Sequence, residues 1–160
     1  MPDTVAATIK IGGDLPADKV KKFCEIIGQE DVKSRYDLEK MVDKDGVLVV
    51  EDDSCPWGRF ESLEEFCLEN SLSYIRSNGG SYTIDSSVEF WTPDTPGILC
   101  FYTNNETGEI LYQPAHLQDL KDMLSDESHI DRAEAAIAEI DRLLNPFPEL
   151  PRFRITKKKK

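Results

Sequence analysis

The chain has 160 residues, of which 39% are hydrophobic and 31% charged, and its formal net charge is -12. This length and apolar content are typical of one folded domain and exclude an intrinsically disordered chain. The acidity disfavours direct contact with nucleic acid or with an anionic membrane, since a strong negative field repels both.

The sequence carries no signal for membrane insertion or export. No apolar run reaches the roughly 18 residues of a membrane-spanning helix, and MPDTVAATIK lacks the pattern of a signal peptide. The four cysteines are far apart and three lie in apolar segments, which indicates reduced, buried thiols rather than disulfides or paired zinc ligands. We expect a cytoplasmic protein with no cofactor and no metal site.

The negative charge is concentrated in the middle of the chain. Residues 1–44 carry 9 acids and 8 bases, residues 45–149 carry 22 acids and 5 bases, and residues 150–160 carry 6 bases and no acid. This distribution predicts a single globular domain over 1–149 and a basic tail over 150–160. The tail is expected to be either solvated or docked on the domain.

The first 45 residues predict a strand and two helices. TVAATIKIGG reads as a β-branched strand. A helix with one apolar face follows, and Gly28 is placed to end it in the left-handed conformation. SRYD at 34–37 is a possible capping box for a short second helix. The residues that mark the two apolar faces are Val20, Phe23, Cys24, Ile27, Leu38, Met41 and Val42.

The centre of the chain predicts a buried strand and a third helix. VLVV at 47–50 has no alternation, which favours a central strand buried on both faces and ending at the acids that follow. SLEE at 62–65 reads as a capping box. Its helix is expected to turn Leu63, Phe66 and Cys67 inward and Glu64, Glu65 and Glu69 outward.

The residue pattern changes in the second half of the chain. Short aromatic or β-branched segments, with the turn signal SNGG at 77–80, predict an antiparallel meander over 72–113, and ILCFYTNNETGEILY is its clearest hairpin. Two helices are expected after Pro114, the second capped by SHID at 128–131. That last helix carries an apolar stripe suited to packing on the preceding helix, on the sheet or on a second copy: Ile130, Ala133, Ile137, Ile140 and Leu144.

Taken together, the elements predict the α+β class. We expect a mainly antiparallel sheet of five to six strands packed by helices on one face, with a helical C-terminus.

The stretch VLVVEDDS at 47–54 resembles the start of a response-regulator receiver domain, in which an acidic pair at a strand end helps to hold magnesium. A receiver also needs a phosphoacceptor aspartate after a later parallel strand and a lysine further on, whereas an antiparallel meander follows here. The family is therefore not assigned. A magnesium-dependent enzyme using Asp52 and Asp53 stays as an alternative.

No catalytic residue is named. Cys55 follows three acids, which oppose the thiolate that a reactive cysteine needs. The segment SCPWGRF instead predicts a tight turn that folds Trp57 and Phe60 onto the core. The Ser, His and Gly motifs of hydrolases and phosphate-binding loops are absent from the sequence.

The charge pattern favours a non-enzymatic protein that docks a basic surface of a protein partner. Carboxylates held on helix faces would replace nucleic-acid phosphates, as in an acidic inhibitor, and small acidic proteins of this kind are typical of mobile genetic elements. A structural subunit of a larger assembly that uses the last helix is a further alternative. The chain itself is expected to be a monomer or a homodimer through the C-terminal helix. The predicted interaction residues are Asp52, Asp53, Glu61, Glu64, Glu65, Glu69, Asp119, Asp122, Asp126 and Glu127.

Overall fold

The computed structural model describes residues 3–95, 97–125, 130–147 and 149–157. Contacts divide the chain into two compact units. Unit 1 comprises residues 1–109 and 150–160, and unit 2 comprises residues 110–149. The single domain expected over 1–149 stays a prediction. No helix within the described residues has both the length and the apolar character needed to cross a membrane.

Unit 1 is built on a five-stranded antiparallel sheet, which confirms the predicted α+β class. The strand order is β3-β1-β4-β5-β6, so that the last three strands form the meander expected in the second half of the chain. The strands are β1 (Thr4–Gly12), β3 (Leu48–Pro56), β4 (Ser73–Asn78), β5 (Ser87–Trp91) and β6 (Leu99–Tyr102). Two segments predicted as strands of the meander, SYTID at 81–85 and EILY at 109–112, are not strands, since β5 begins at Ser87 and β6 is the last strand of the meander.

Three helices cover one face of this sheet. They are α1 (Val20–Ile27), α2 (Arg35–Lys40) and α3 (Glu61–Glu69). The local signals for the first two are confirmed, because Gly28 ends α1 at φ 71° and the Ser34 side chain accepts a hydrogen bond from the Asp37 N–H. Helix α3 begins one residue before SLEE, with Phe60 rather than Ser62 as its N-cap.

The core of unit 1 follows from alternation in the strands. Ile9 and Ile11 of β1 pair with Val50 and Leu48 of β3, and all four are buried together with apolar side chains of the helices. The helix contributors are Phe23, Cys24, Leu38, Leu63, Phe66 and Cys67. Alternate strand residues therefore lie on the opposite face of the sheet.

The prediction that VLVV is a central strand is wrong. Strand β3 lies at the edge of the sheet and pairs with β1 alone among the five strands. Its outer side is covered by the preceding loop, because the Val49 N–H donates to the Met41 carbonyl and the Asp43 N–H donates to the Val47 carbonyl. This cover explains why an edge strand is apolar along its first half.

The C-terminal segment docks on unit 1 as a strand. Strand β7 (Arg154–Thr156) pairs in parallel with β2 (Asp14–Pro16), and Phe153 is buried against Phe23 with ring centroids 6.1 Å apart. Gly12 is needed for this approach, because a Cβ there would lie 2.0 Å from the Pro151 carbonyl oxygen. The basic segment is therefore docked over its described residues, 150–157.

Unit 2 is a helical hairpin of α4 (Pro114–Ser125) and α5 (Ile130–Leu144). Its core is small: Leu120 of α4 packs against Ala136 and Leu143 of α5, with Ile140 partly buried beside them. The expected stripe thus faces α4 only in part, since Ile137 and Leu144 are 53% and 72% exposed. The predicted cap SHID lies partly outside the described residues.

Candidate functional site

The acids of β3 lie inside the strand and not after its end. The pairing register between β1 and β3 shifts between Val5 and Ala7, so that Asp53 and Ser54 together stand opposite Ala6. This β-bulge lets β3 continue through the acids, and the Asp52 carboxylate accepts a hydrogen bond of 2.8 Å from the Ser54 N–H. A strand end at Val50, as the sequence suggested, is therefore wrong.

Alternation along β3 separates the two aspartates proposed as a magnesium pair. Asp52 pairs with Ala7, whereas Asp53 lines a groove on the other face of the sheet together with Glu51. Neighbouring residues of a strand point to opposite faces, so these carboxylates do not converge on one ion. Among the described residues there is no group of three His, Cys, Asp or Glu side chains that could hold a metal.

The groove lined by Glu51 and Asp53, which we call the β3 groove, has a volume of about 570 Å³. Its floor is made of small side chains from the neighbouring strands, including Ala6, Thr8 and Ser77. Thr8 stands between Glu51 and Ser77 in the pairing register, so the groove crosses from the edge strand towards the middle of the sheet.

A buried hydrogen-bond network forms the far wall of the β3 groove. Asn78 donates to the Ser87 hydroxyl at 2.9 Å, and Ser86 donates to the Asn78 carbonyl at 2.9 Å. The hydroxyls of Ser86 and Thr103 are 2.6 Å apart. Because Ser86 and Thr103 are buried and held by these bonds, the part of the wall that they form has a fixed shape.

Helix α3 presents a smaller acidic surface than the sequence predicted. Glu61, Glu65 and Glu69 are exposed, but Glu69 lies 3.9 Å from Lys22. That lysine belongs to the charge-balanced first segment of the chain, and it offsets the negative charge at this end of the helix. Glu61 and Glu65 therefore carry the exposed charge of α3.

The assignment of Glu64 to the surface is wrong, because its carboxylate is only 3% exposed. It lies 2.8 Å from Arg76 Nε of β4 and 3.3 Å from Arg59 Nη2, and it accepts a hydrogen bond from the Phe60 N–H. The Arg76 contact is an ion pair rather than an aligned hydrogen bond. A carboxylate enclosed by two guanidinium groups is not available to a partner.

Arg76 is the centre of this internal charge cluster and was not singled out from the sequence. It is 1% exposed, donates to the Gly58 carbonyl at 2.7 Å, and lies 2.5 Å from Glu89 on β5. The available signal was the alternation of SYIRSN, which places Arg76 on the same face as the buried Tyr74.

The turn at SCPWGRF is shaped by the same cluster. Trp57 and Gly58 adopt positive φ angles of 54° and 65°, which turns the Gly58 carbonyl to Arg76. Phe60 packs on the core as predicted, but Trp57 is 53% exposed, so the prediction that it folds onto the core is wrong.

The thiols are held in their protonated form. Burial, with a smaller effect from the charge of Asp52, raises the pKa of the Cys55 thiol to about 11. Burial also raises the pKa of Cys24 and Cys67, and partial desolvation raises that of Cys100, which is exposed rather than buried as expected; all four cysteines are free. These environments do not produce a thiolate nucleophile at neutral pH.

The second predicted cluster belongs to α4 in unit 2. Asp119 and Asp122 are exposed there, and Gln118 donates to Asp122 at 2.7 Å. Asp126 and Glu127 lie outside the described residues. The only described histidine, His116, lies 3.3 Å from Glu139, and hydrogen bonds from Arg142 and His116 hold the pKa of that carboxyl below its usual value.

Comparison of the chain with protein-family models, with curated proteins and with solved structures finds no match in any of the three.

Proposed function

We propose that this protein is a non-enzymatic binding protein whose acidic surface docks a basic surface on a protein partner. One observation supports this above all. The segment 45–149 has 22 acids and only five bases, and carboxylates of the same segment hold Arg59, Arg76 and Arg142 among them. The exposed acids of the segment therefore have few cations of their own segment to offset them.

In unit 1 the acids that serve this function lie on both faces of the sheet: Glu51 and Asp53 on the groove face, and Asp52 on the face covered by α3, which carries Glu61 and Glu65. All five are exposed, on strand β3 and helix α3. In unit 2, Asp119 and Asp122 supply the exposed acids of α4. Glu64 is removed from the interaction set because it is buried, and Glu69 contributes less because Lys22 is beside it.

The partner is a protein that otherwise binds nucleic acid, and the acidic surface occupies its basic groove in place of phosphates. We place the protein in the cytoplasm, where four free cysteines are compatible with reducing conditions. An origin in a mobile genetic element belongs to the same proposal and rests on analogy with small acidic inhibitors.

Affinity capture from cells that produce the protein tests this proposal. A basic partner should be retained at low ionic strength and eluted by salt, because screening weakens a contact between exposed charges. Duplex DNA should release the same partner, whereas a neutral polymer should not. If no protein is retained at any salt concentration, or if DNA leaves the captured partner in place, the proposal fails.

A further inference from the structure

The β3 groove offers a receptor for one particular side chain, and this inference rests on the proposed function. We propose that the groove binds an arginine of the basic partner, with the guanidinium group between the carboxylates of Glu51 and Asp53.

The groove is large enough to hold a ligand. Its volume of about 570 Å³ lies within the range of roughly 300–1,000 Å³ that is usual for sites that enclose a ligand. Small residues provide this space, because Ala6, Thr8 and Ser77 stand where larger side chains would fill the floor. One extended side chain with its backbone fits such a volume.

The groove carries negative charge that no described cation offsets. Glu51 and Asp53 form no ion pair among the described residues, in contrast to Glu64, Glu69 and Glu139, each of which has a cation within 4 Å. None of the residues that line the groove is Lys or Arg. Two carboxylates side by side repel each other, and a cation between them relieves that repulsion.

The far wall of the groove is held in shape by hydrogen bonds. The Ser86 and Thr103 hydroxyls bond to each other, and Ser86 donates to the Asn78 carbonyl. Asn105 lines the groove as well. Amide and hydroxyl groups suit the backbone of a bound peptide.

The geometry favours arginine over lysine or a metal ion. Guanidinium is planar and carries five N–H donors, so that it can serve two carboxylates at once, whereas ammonium is a compact point charge. Two carboxylates without a third protein ligand make a poor site for a divalent cation, and the described residues supply no such group of three.

The test measures fluorescence anisotropy of a fluorescein-labelled peptide of alternating glycine and arginine. The variant E51Q with D53N removes two charges from the groove, and the matched control E30Q with D31N removes two exposed charges that lie outside the docking surface. The groove variant should weaken binding about tenfold or more, since it removes two charge-assisted contacts, and the control should weaken it about twofold or less.

A second variant separates shape from charge. Ala6 is exposed in β1, and Ala6→Phe fills the floor without changing any charge. It should abolish tight binding while circular dichroism and the melting temperature stay those of the unchanged protein. A lysine and glycine peptide should bind more weakly than the arginine peptide.

The outcomes distinguish the two proposals. If the unchanged protein binds neither basic peptide at low salt, the acidic docking function itself loses its support. In three other outcomes the unchanged protein binds, but the groove and control variants weaken binding equally, Ala6→Phe has no effect, or the lysine and arginine peptides bind with equal affinity. Any of these results leaves the docking function standing and shows that the arginine site in the β3 groove is wrong.

Discussion

Arg76 places a positive charge in the interior of unit 1, where an unpaired ion would be very unfavourable. Its guanidinium is balanced by Glu64 from α3 and Glu89 from β5, and the Gly58 carbonyl accepts one of its N–H groups. The cluster thus joins a helix, two strands and a turn. Its contribution lies less in net stability than in requiring these four parts to be in place together.

Removing Arg76 should be much more damaging than removing Arg59. Arg76→Ala leaves the Glu64 and Glu89 carboxylates enclosed without their cation, which we expect to reduce the free energy of unfolding by about 3–5 kcal/mol. Arg59, with a side chain 46% exposed, is the matched control, and Arg59→Ala should cost about 1 kcal/mol or less. Urea unfolding followed by circular dichroism measures both, and equal losses would contradict the central role of Arg76.

Burial of individual charges could not be predicted from local sequence. The periodicity of α3 correctly placed Leu63, Phe66 and Cys67 inward. Glu64 was assigned to solvent because acids usually face water. Its burial depends on Arg76 of the following strand β4, which reaches Glu64 only when α3 packs against that strand.

At the scale of elements, β7 acts as a late addition to the core of unit 1. Phe153 precedes it and contacts Phe23, which in turn packs on Phe66 with ring centroids 5.1 Å apart. The Phe153 N–H donates to the Gly46 carbonyl at 2.8 Å. The docked segment therefore contributes both an aromatic side chain and backbone pairing.

Phe153→Ala should destabilise unit 1 by about 3–5 kcal/mol, because it removes a buried aromatic side chain and leaves a cavity beside Phe23. Arg154→Ala, at an exposed position of β7, is the control and should change the free energy of unfolding by about 0.5 kcal/mol or less. Thermal and urea unfolding of both variants would decide, and an unaltered stability of Phe153→Ala would show that the segment is dispensable.

Elements were predicted well where they depend on contacts between residues close in sequence, and poorly where they depend on contacts between distant segments. Gly28 ended α1 and Ser34 capped α2 as expected, because each contact lies within one turn of the helix. The edge position of β3 was missed, since its apolar residues are covered by Met41 and the loop around it. The β3 groove had no sequence signal, because its floor comes from residues of separate strands.

At the scale of the whole molecule, the apolar surface of α5 bears on assembly. Ile137 and Leu144 are seven residues apart and largely exposed, next to the residues that pack on α4. Such a surface favours the alternative of a homodimer through the C-terminal helix, which stays a prediction.

Light scattering over a range of concentrations checks this alternative. A homodimer predicts a mass that rises above the 18.1 kDa of one chain and returns to it in the double variant I137S with L144S, because the contact loses its apolar side chains. Leu68→Ser, at an exposed position of α3, should leave the mass unchanged. A mass of one chain at every concentration would remove the homodimer.

Unit 1 is interrupted in the chain by the 40 residues of unit 2, from 110 to 149. Since β2 lies near the start of unit 1 and β7 beyond this interruption, a ribosome must translate the whole helical hairpin before β2 can meet its partner strand. The early strands therefore emerge from the ribosome before Phe153 can fill its place beside Phe23. The native packing of unit 1 is completed only after the hairpin has left the exit tunnel.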